Sequence, residues 1–113
     1  MYNWINSLCD QSLERLSQDR QIQIDDSLRQ RAIKNSVEMM RRKKLGFYLP
    51  APLLESVQEV VTQIPAQDNI PQRLFSSWKR AFQGSNIESV GIGLAYDSQI
   101  NVIYATACLR KRN

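Results

Sequence analysis

Ser89-Val90-Gly91-Ile92-Gly93-Leu94-Ala95-Tyr96 and Asn101-Val102-Ile103-Tyr104-Ala105-Thr106-Ala107-Cys108-Leu109 enclose the short polar stretch Asp97-Ser98-Gln99. Two apolar, β-prone runs on either side of a polar turn read as a β-hairpin. In the first run Val90, Ile92 and Leu94 alternate with Gly91, Gly93 and Ala95, so one face is bulky and the other bare. Glycine weakens a strand unless another backbone must approach it closely. A helix packed on the bare face is the simplest reason for glycine here. The rest of the chain reads as mostly helical, so the hairpin is expected to be the sheet that the helices cover.

Upstream, Trp4, Ile5, Leu8, Cys9, Ser12, Leu13 and Leu16 recur at helical spacing, which predicts an amphipathic helix over Tyr2 to Gln18. Gln21-Ile22-Gln23-Ile24 alternates and reads as a short extended piece. Asp25-Asp26-Ser27 offers short oxygen-bearing side chains for the free amides of a first helical turn. The second helix follows, with Leu28, Ala32, Ile33, Val37 and Met40 as its expected buried face and Gly46 as its expected C-cap. Pro50 and Pro52 mark a linker into a third helix, in which Leu53, Leu54, Val57, Val60, Val61 and Ile64 keep helical spacing. Asn69 and Pro71 open a fourth, lined by Ile70, Leu74, Phe75, Trp78, Ala81 and Phe82. The expected fold class is therefore α+β: about four helices around a small antiparallel sheet that ends in a C-terminal β-hairpin.

The 113 residues make one domain, 1–113, with ordinary globular proportions of 42% hydrophobic and 23% charged residues. No apolar run approaches the roughly 18 residues that a membrane-spanning helix needs. The amino-terminal stretch lacks the continuous apolar core of a signal peptide. The formal charge is +4. Its basic residues cluster in Arg41, Arg42, Lys43 and Lys44, and again in Arg110, Lys111 and Arg112. One reading is a patch for nucleic-acid phosphates or anionic lipid. The preferred reading is a solvated helix end plus a tail, because cations complement the dipole at a helix C-terminus. Cys9 and Cys108 read either as two small buried hydrophobes or as one disulfide in an oxidising compartment, the first being preferred.

The chain contains no histidine. That removes the commonest general base near neutral pH, the Ser-His-Asp and Cys-His arrangements, and His-containing zinc sites. No phosphate-cradling glycine motif is present either. Carboxylates remain: Glu55 and Glu59, four apart, share one face of the expected third helix. They read as a solvated face in preference to an acid/base pair. Tyr48, between basic residues and prolines, is the better surface candidate among the aromatics. No catalytic residue, metal site or cofactor is expected.

In order along the chain, several pieces resemble the CAP superfamily (cysteine-rich secretory, antigen 5 and pathogenesis-related proteins), also called SCP-like domains. Arg20 to Leu28, followed by Ala32 and Ser36-Val37, is similar to the segment that leads into that family's first conserved helix. Met39-Met40 and Gly46-Phe47-Tyr48 resemble its helix end and aromatic turn. Phe75 and Trp78 resemble its helix-end tryptophan, and Val90 to Tyr96 with Ile103 to Thr106 resembles its hairpin. The resemblance implies a three-layer α-β-α sandwich in a secreted or cell-surface protein that binds a protein or lipid, sterols included, and does no catalysis. Both cleft histidines of the family are missing. One would fall near Tyr48 or Leu49 and the other in Gln83-Gly84-Ser85. Glu59 stands near the family's cleft glutamate. The cleft is thus expected to be degenerate and metal-free, with Tyr48, Glu55 and Glu59 beside it. The rival expectation is a small nucleic-acid or anionic-surface binder that uses both basic clusters on one face. Without the resemblance, the chain reads as cytoplasmic.

Overall fold

The computed structural model describes residues 22–50, 57–67, 70–78 and 87–111. In chain order these form β1 (Gln23–Ile24), α1 (Asp26–Arg42), β2 (Val57–Pro65), α2 (Ile70–Ser77), β3 (Ile87–Asp97) and β4 (Val102–Lys111). The four strands make one sheet in the order β1-β3-β4-β2. β3 and β4 form the antiparallel hairpin and β2 adds antiparallel to β4. β1 adds parallel to β3 through Gln23 and Ile24 opposite Ser89 and Val90. The turn at 98–101 closes with Asn101 at φ 53°, a left-handed conformation that asparagine tolerates better than most residues. Asp97 supports the turn by accepting a hydrogen bond from the Gln99 amide at 3.0 Å.

The register sorts the side chains onto two faces, since directly opposed residues share a face. Val90, Ile92 and Leu94 lie with Leu109, Ala107 and Ala105. These, with Ile64 and Ile103, join Ile70 and Leu74 of α2, and Trp78 just after it, in the larger core cluster. Each such aliphatic side chain, fully buried, contributes about 1.5–3 kcal/mol. The other face carries Gly91, Gly93, Thr106 and Cys108, and α1 lies on it.

That helix comes so close that a Cβ on Gly91 would stand 2.1 Å from the Arg29 amide nitrogen. One on Gly93 would stand 2.2 Å from the Ile33 nitrogen. The bare strand face is therefore a bed for a helix backbone, as the glycine pattern anticipates. Asp25 caps α1, its carboxylate accepting from the Leu28 amide at 3.1 Å. Lys43, left-handed at φ 56°, ends it, with the Lys44 amide reaching back to the Met39 carbonyl at 3.1 Å. The closing residue is thus Lys43 and not Gly46.

The inner face of α1 also differs from the expected stripe. Leu28, Ala32, Asn35, Ser36 and Met39 are buried, while Val37 is exposed. Two polar residues occupy core positions because the sheet offers them partners. Asn35 Nδ2 donates to the Gly46 carbonyl at 3.0 Å and to Thr106 Oγ1 at 3.1 Å. Asn35 Oδ1 accepts from the Tyr48 amide at 2.9 Å. Ser36 donates to the Gly93 carbonyl at 2.8 Å, and its Oγ lies 2.9 Å from Thr106 Oγ1. A hydroxyl has one proton, so the Thr106 proton goes to Ser36. Each of these three buried groups is thereby satisfied, the condition under which polar core residues are tolerated.

The largest correction concerns residues 57–65. They form strand β2, paired along its length with β4, where the spacing of Val57, Val60, Val61 and Ile64 predicts a helix. Those four positions have helical spacing and fall two on each face of the strand, but Val57, Val60, Val61, Thr62 and Ile64 are β-branched and prefer a pleated surface. About four helices around an antiparallel sheet is therefore not the architecture. Two helices are present among the described residues, the sheet is mixed, and the three-layer α-β-α sandwich is not formed by them. The fold is a small α+β domain with one long helix on the glycine face. The expected helix over Tyr2 to Gln18 lies outside the described residues.

Candidate functional site

The sheet order places β2 at an edge. An open groove of about 460 Å³ runs along it, touching four consecutive residues, Gln58 to Val61, together with Phe47, Ser77 and Trp78. Successive strand residues point to opposite faces, so a groove that meets all four follows the edge itself. Phe47 comes from the segment after α1, and Trp78 from the end of α2. Phe47 is 50% exposed, whereas Trp78 is buried. The volume falls within the range of small-ligand sites, about 300–1,000 Å³.

Glu59 belongs to this groove and is held from the helix side. Arg31 Nε donates to Oε2 and its Nη2 to Oε1, both at 2.9 Å. The two parallel bonds give the bidentate geometry that guanidinium and carboxylate share. Cys108 Sγ lies 3.5 Å from Oε2. Arg31 also donates to the Pro50 carbonyl, so it ties the segment after α1 to β2. The Glu59 bond raises the Arg31 pKa above its ordinary value. Cys108 is a buried free thiol, and its pKa is pushed up to about 12, first by burial and then by the adjacent Glu59 charge. A thiol so placed is not a nucleophile at neutral pH.

Tyr48 and Glu59 are anchored to adjacent turns of α1, Tyr48 through Asn35 and Glu59 through Arg31. The Tyr48 hydroxyl donates to the Lys44 carbonyl at 3.0 Å, and the Arg42 guanidinium stands 4.4 Å from the centre of the Tyr48 ring. Tyr48 therefore shapes the loop, and its neighbour Phe47 is the residue that faces the groove. Glu55 lies outside the described residues, and with β2 a strand the shared helical face proposed for Glu55 and Glu59 does not exist. Among the described residues, no three His, Cys, Asp or Glu side chains converge as metal ligands.

The basic clusters lie at opposite ends of α1, about 25 Å apart at 1.5 Å per residue. Arg110 pairs with Asp25 at 3.1 Å before the helix starts. Lys43 pairs with Asp97 where it ends, and Arg41 and Arg42 both reach Glu38. The two clusters are therefore not contiguous, and Arg112 lies outside the described residues. Arg31 and Asn35 carry the site without having been singled out from sequence, and Phe47 entered there only as part of the aromatic turn. Asn35 gave one signal, as a short amide in mid-helix is unfavourable unless it has a partner.

No family model and no curated protein matches the sequence. Among solved structures the chain is similar to an outer surface protein from Borrelia burgdorferi, at 12% identity with a TM-score of 0.62. The match covers 90% of this chain and 94% of that one. At that identity the likeness concerns the fold alone. No helix of the described residues is long and apolar enough to cross a membrane.

Proposed function

We propose that this chain is a non-enzymatic binding domain of CAP-like descent, which takes an apolar ligand of the sterol or lipid class in the groove along β2. The observation that carries this reading is the commitment of Glu59. Its carboxylate forms a bidentate ion pair with Arg31, so the one acidic group in the groove is a strut and not a free base. Among the remaining walls, Phe47, Val60, Val61 and Trp78 offer apolar surface, with Gln58 and Ser77 as neutral polar groups. With no histidine in the chain, the groove has shape and a largely apolar lining, and Glu59 has no histidine partner for acid/base work. Placement at the cell surface belongs to the same proposal, supported by a fold similar to that of an outer surface protein.

The test is equilibrium binding of a fluorescent sterol to the wild type and to Phe47→Asp. Phe47 is half exposed, so the variant is expected to fold. Saturable one-to-one binding, weakened about tenfold or more by losing an apolar wall, is expected. Absence of saturable binding, or equal binding by the variant, contradicts the proposal.

A further inference from the structure

Where α1 stops, the molecule displays cations and bare aliphatic side chains together. Arg41, Arg42, Lys43 and Lys44 are all exposed. Glu38 engages Arg41 and Arg42, and Asp97 engages Lys43. Four cations against two carboxylates leave an excess of two positive charges. Leu45 is 41% exposed and Ile100 51% exposed at the same end. The Lys43–Asp97 bridge joins them: Leu45 follows Lys43 by two residues, and Ile100 follows Asp97 by three. At 3.8 Å per step, their Cα atoms lie within about 8 and 11 Å of the Cα atoms of the bridging residues. The platform is fixed, since Arg42 stacks on Tyr48 and the Tyr48 hydroxyl holds the Lys44 carbonyl. The turn residues Ser98, Gln99, Ile100 and Asn101 bring no charge.

We propose that this end of the domain docks on an anionic phospholipid surface. Leu45 and Ile100 enter the boundary between headgroups and acyl chains, and Arg41, Arg42 and Lys44 meet the lipid phosphates. Aliphatic tips among cations match an interface that is apolar beneath a negative surface. They gain nothing on a nucleic acid, whose exposed bases stack on aromatic side chains. The second basic cluster, at the far end of α1, does not extend the patch into a stripe that would follow a phosphate backbone. None of these residues lines the groove along β2, so their variants keep every groove-lining side chain.

Co-sedimentation with phosphatidylserine–phosphatidylcholine vesicles and with phosphatidylcholine vesicles tests it. Binding is expected to be at least about tenfold stronger to the anionic vesicles and to weaken as salt screens the charges. The double variant Leu45→Asp/Ile100→Asp is expected to lose binding while its thermal melt stays that of the wild type. Arg41→Glu/Lys44→Glu is expected to lose the preference for anionic lipid. Equal binding to both vesicles, or full binding by the Leu45→Asp/Ile100→Asp variant, overturns the proposal. Duplex DNA binding as tight as vesicle binding, and insensitive to the aspartates, also overturns it.

Discussion

Ser36 and Gly93, 57 residues apart, are joined by a hydrogen bond of 2.8 Å from the serine hydroxyl to the glycine carbonyl. The bond is possible because Gly93 has no side chain. Its bareness lets the helix backbone descend until a serine, the shortest hydroxyl side chain, reaches the strand itself. One residue type at one position thus sets both the depth of α1 and the polarity of the residues beneath it.

Gly93→Ala should therefore be among the most destabilising small substitutions in the chain. The new methyl group would meet helix backbone at 2.2 Å, where no rotamer change relieves it. Overpacking costs about 1–3 kcal/mol, occasionally more, and this clash belongs at the upper end. Gly46→Ala, whose methyl would meet only the Tyr48 ring edge at 3.1 Å, should cost much less. Urea denaturation of the two variants separates them. Equal midpoints would show that α1 does not rest on β3 as described.

Thr106→Val keeps the shape of the buried network and removes the hydroxyl that Asn35 donates to. One Asn35 N–H is left without its partner inside the protein, a loss worth about 1–3 kcal/mol. Asn35→Ala should cost at least as much, because it also releases the Gly46 carbonyl and the Tyr48 amide that fix the segment carrying Phe47. The double variant should fall short of the sum, since the two residues share a bond. Thermal melts of the three variants check this cycle.

Arg31→Met strands the Glu59 carboxylate, whose side chain is 11% exposed. A cost of about 1–3 kcal/mol is expected, as for an unpaired polar group at a largely buried site. Adding Glu59→Gln should recover part of it, because a neutral amide no longer needs the guanidinium. Chemical denaturation of the single and double variants is the check, and a double variant weaker than Arg31→Met would contradict the strut role of this pair.

Stability should change with pH at both ends of the scale. The Asp25 carboxyl is held below its ordinary range, chiefly by the Ser27 hydroxyl, and that of Asp97 chiefly by Lys43. Their contribution is present above the unfolded value of about 3.9 and is lost as pH falls through the lower folded values. Cys108 behaves in the opposite sense. Its thiol, raised to about 12, contributes below the unfolded value and loses that contribution as pH rises toward the folded one. Melting temperatures should be level near neutrality and fall below about pH 4 and above about pH 9. In a Cys9→Ser background, Cys108 should resist a thiol reagent until denaturant is added. Labelling of the folded protein would contradict its burial.

The hairpin and the helix that covers it were legible in the sequence. The alternating Val90, Ile92 and Leu94 with intervening glycines had a strand under a helix as their simplest reading, and Asp25 stood where a first turn needs a cap. Residues 57–65 were not legible in the same way. Their apolar spacing is that of a helix and puts apolar residues on both faces of a strand, and the decision is made by β4, which offers a pairing partner far along the chain. The site depended on that decision. Glu59 was visible as a carboxylate, but its partner Arg31 emerges only once β2 lies beside α1. Asn35 and Ser36 were hidden because a stripe read by hydrophobicity passes over polar residues that find partners across the core.

Methyl-resolved NMR during titration with a soluble sterol derivative decides whether the groove along β2 binds as proposed. Saturable shift changes are expected at the Val60 and Val61 methyl groups and at the Trp78 indole, with the buried Ile103 and Leu109 methyl groups still. Shifts confined to other surfaces, or none at any sterol concentration, would contradict it.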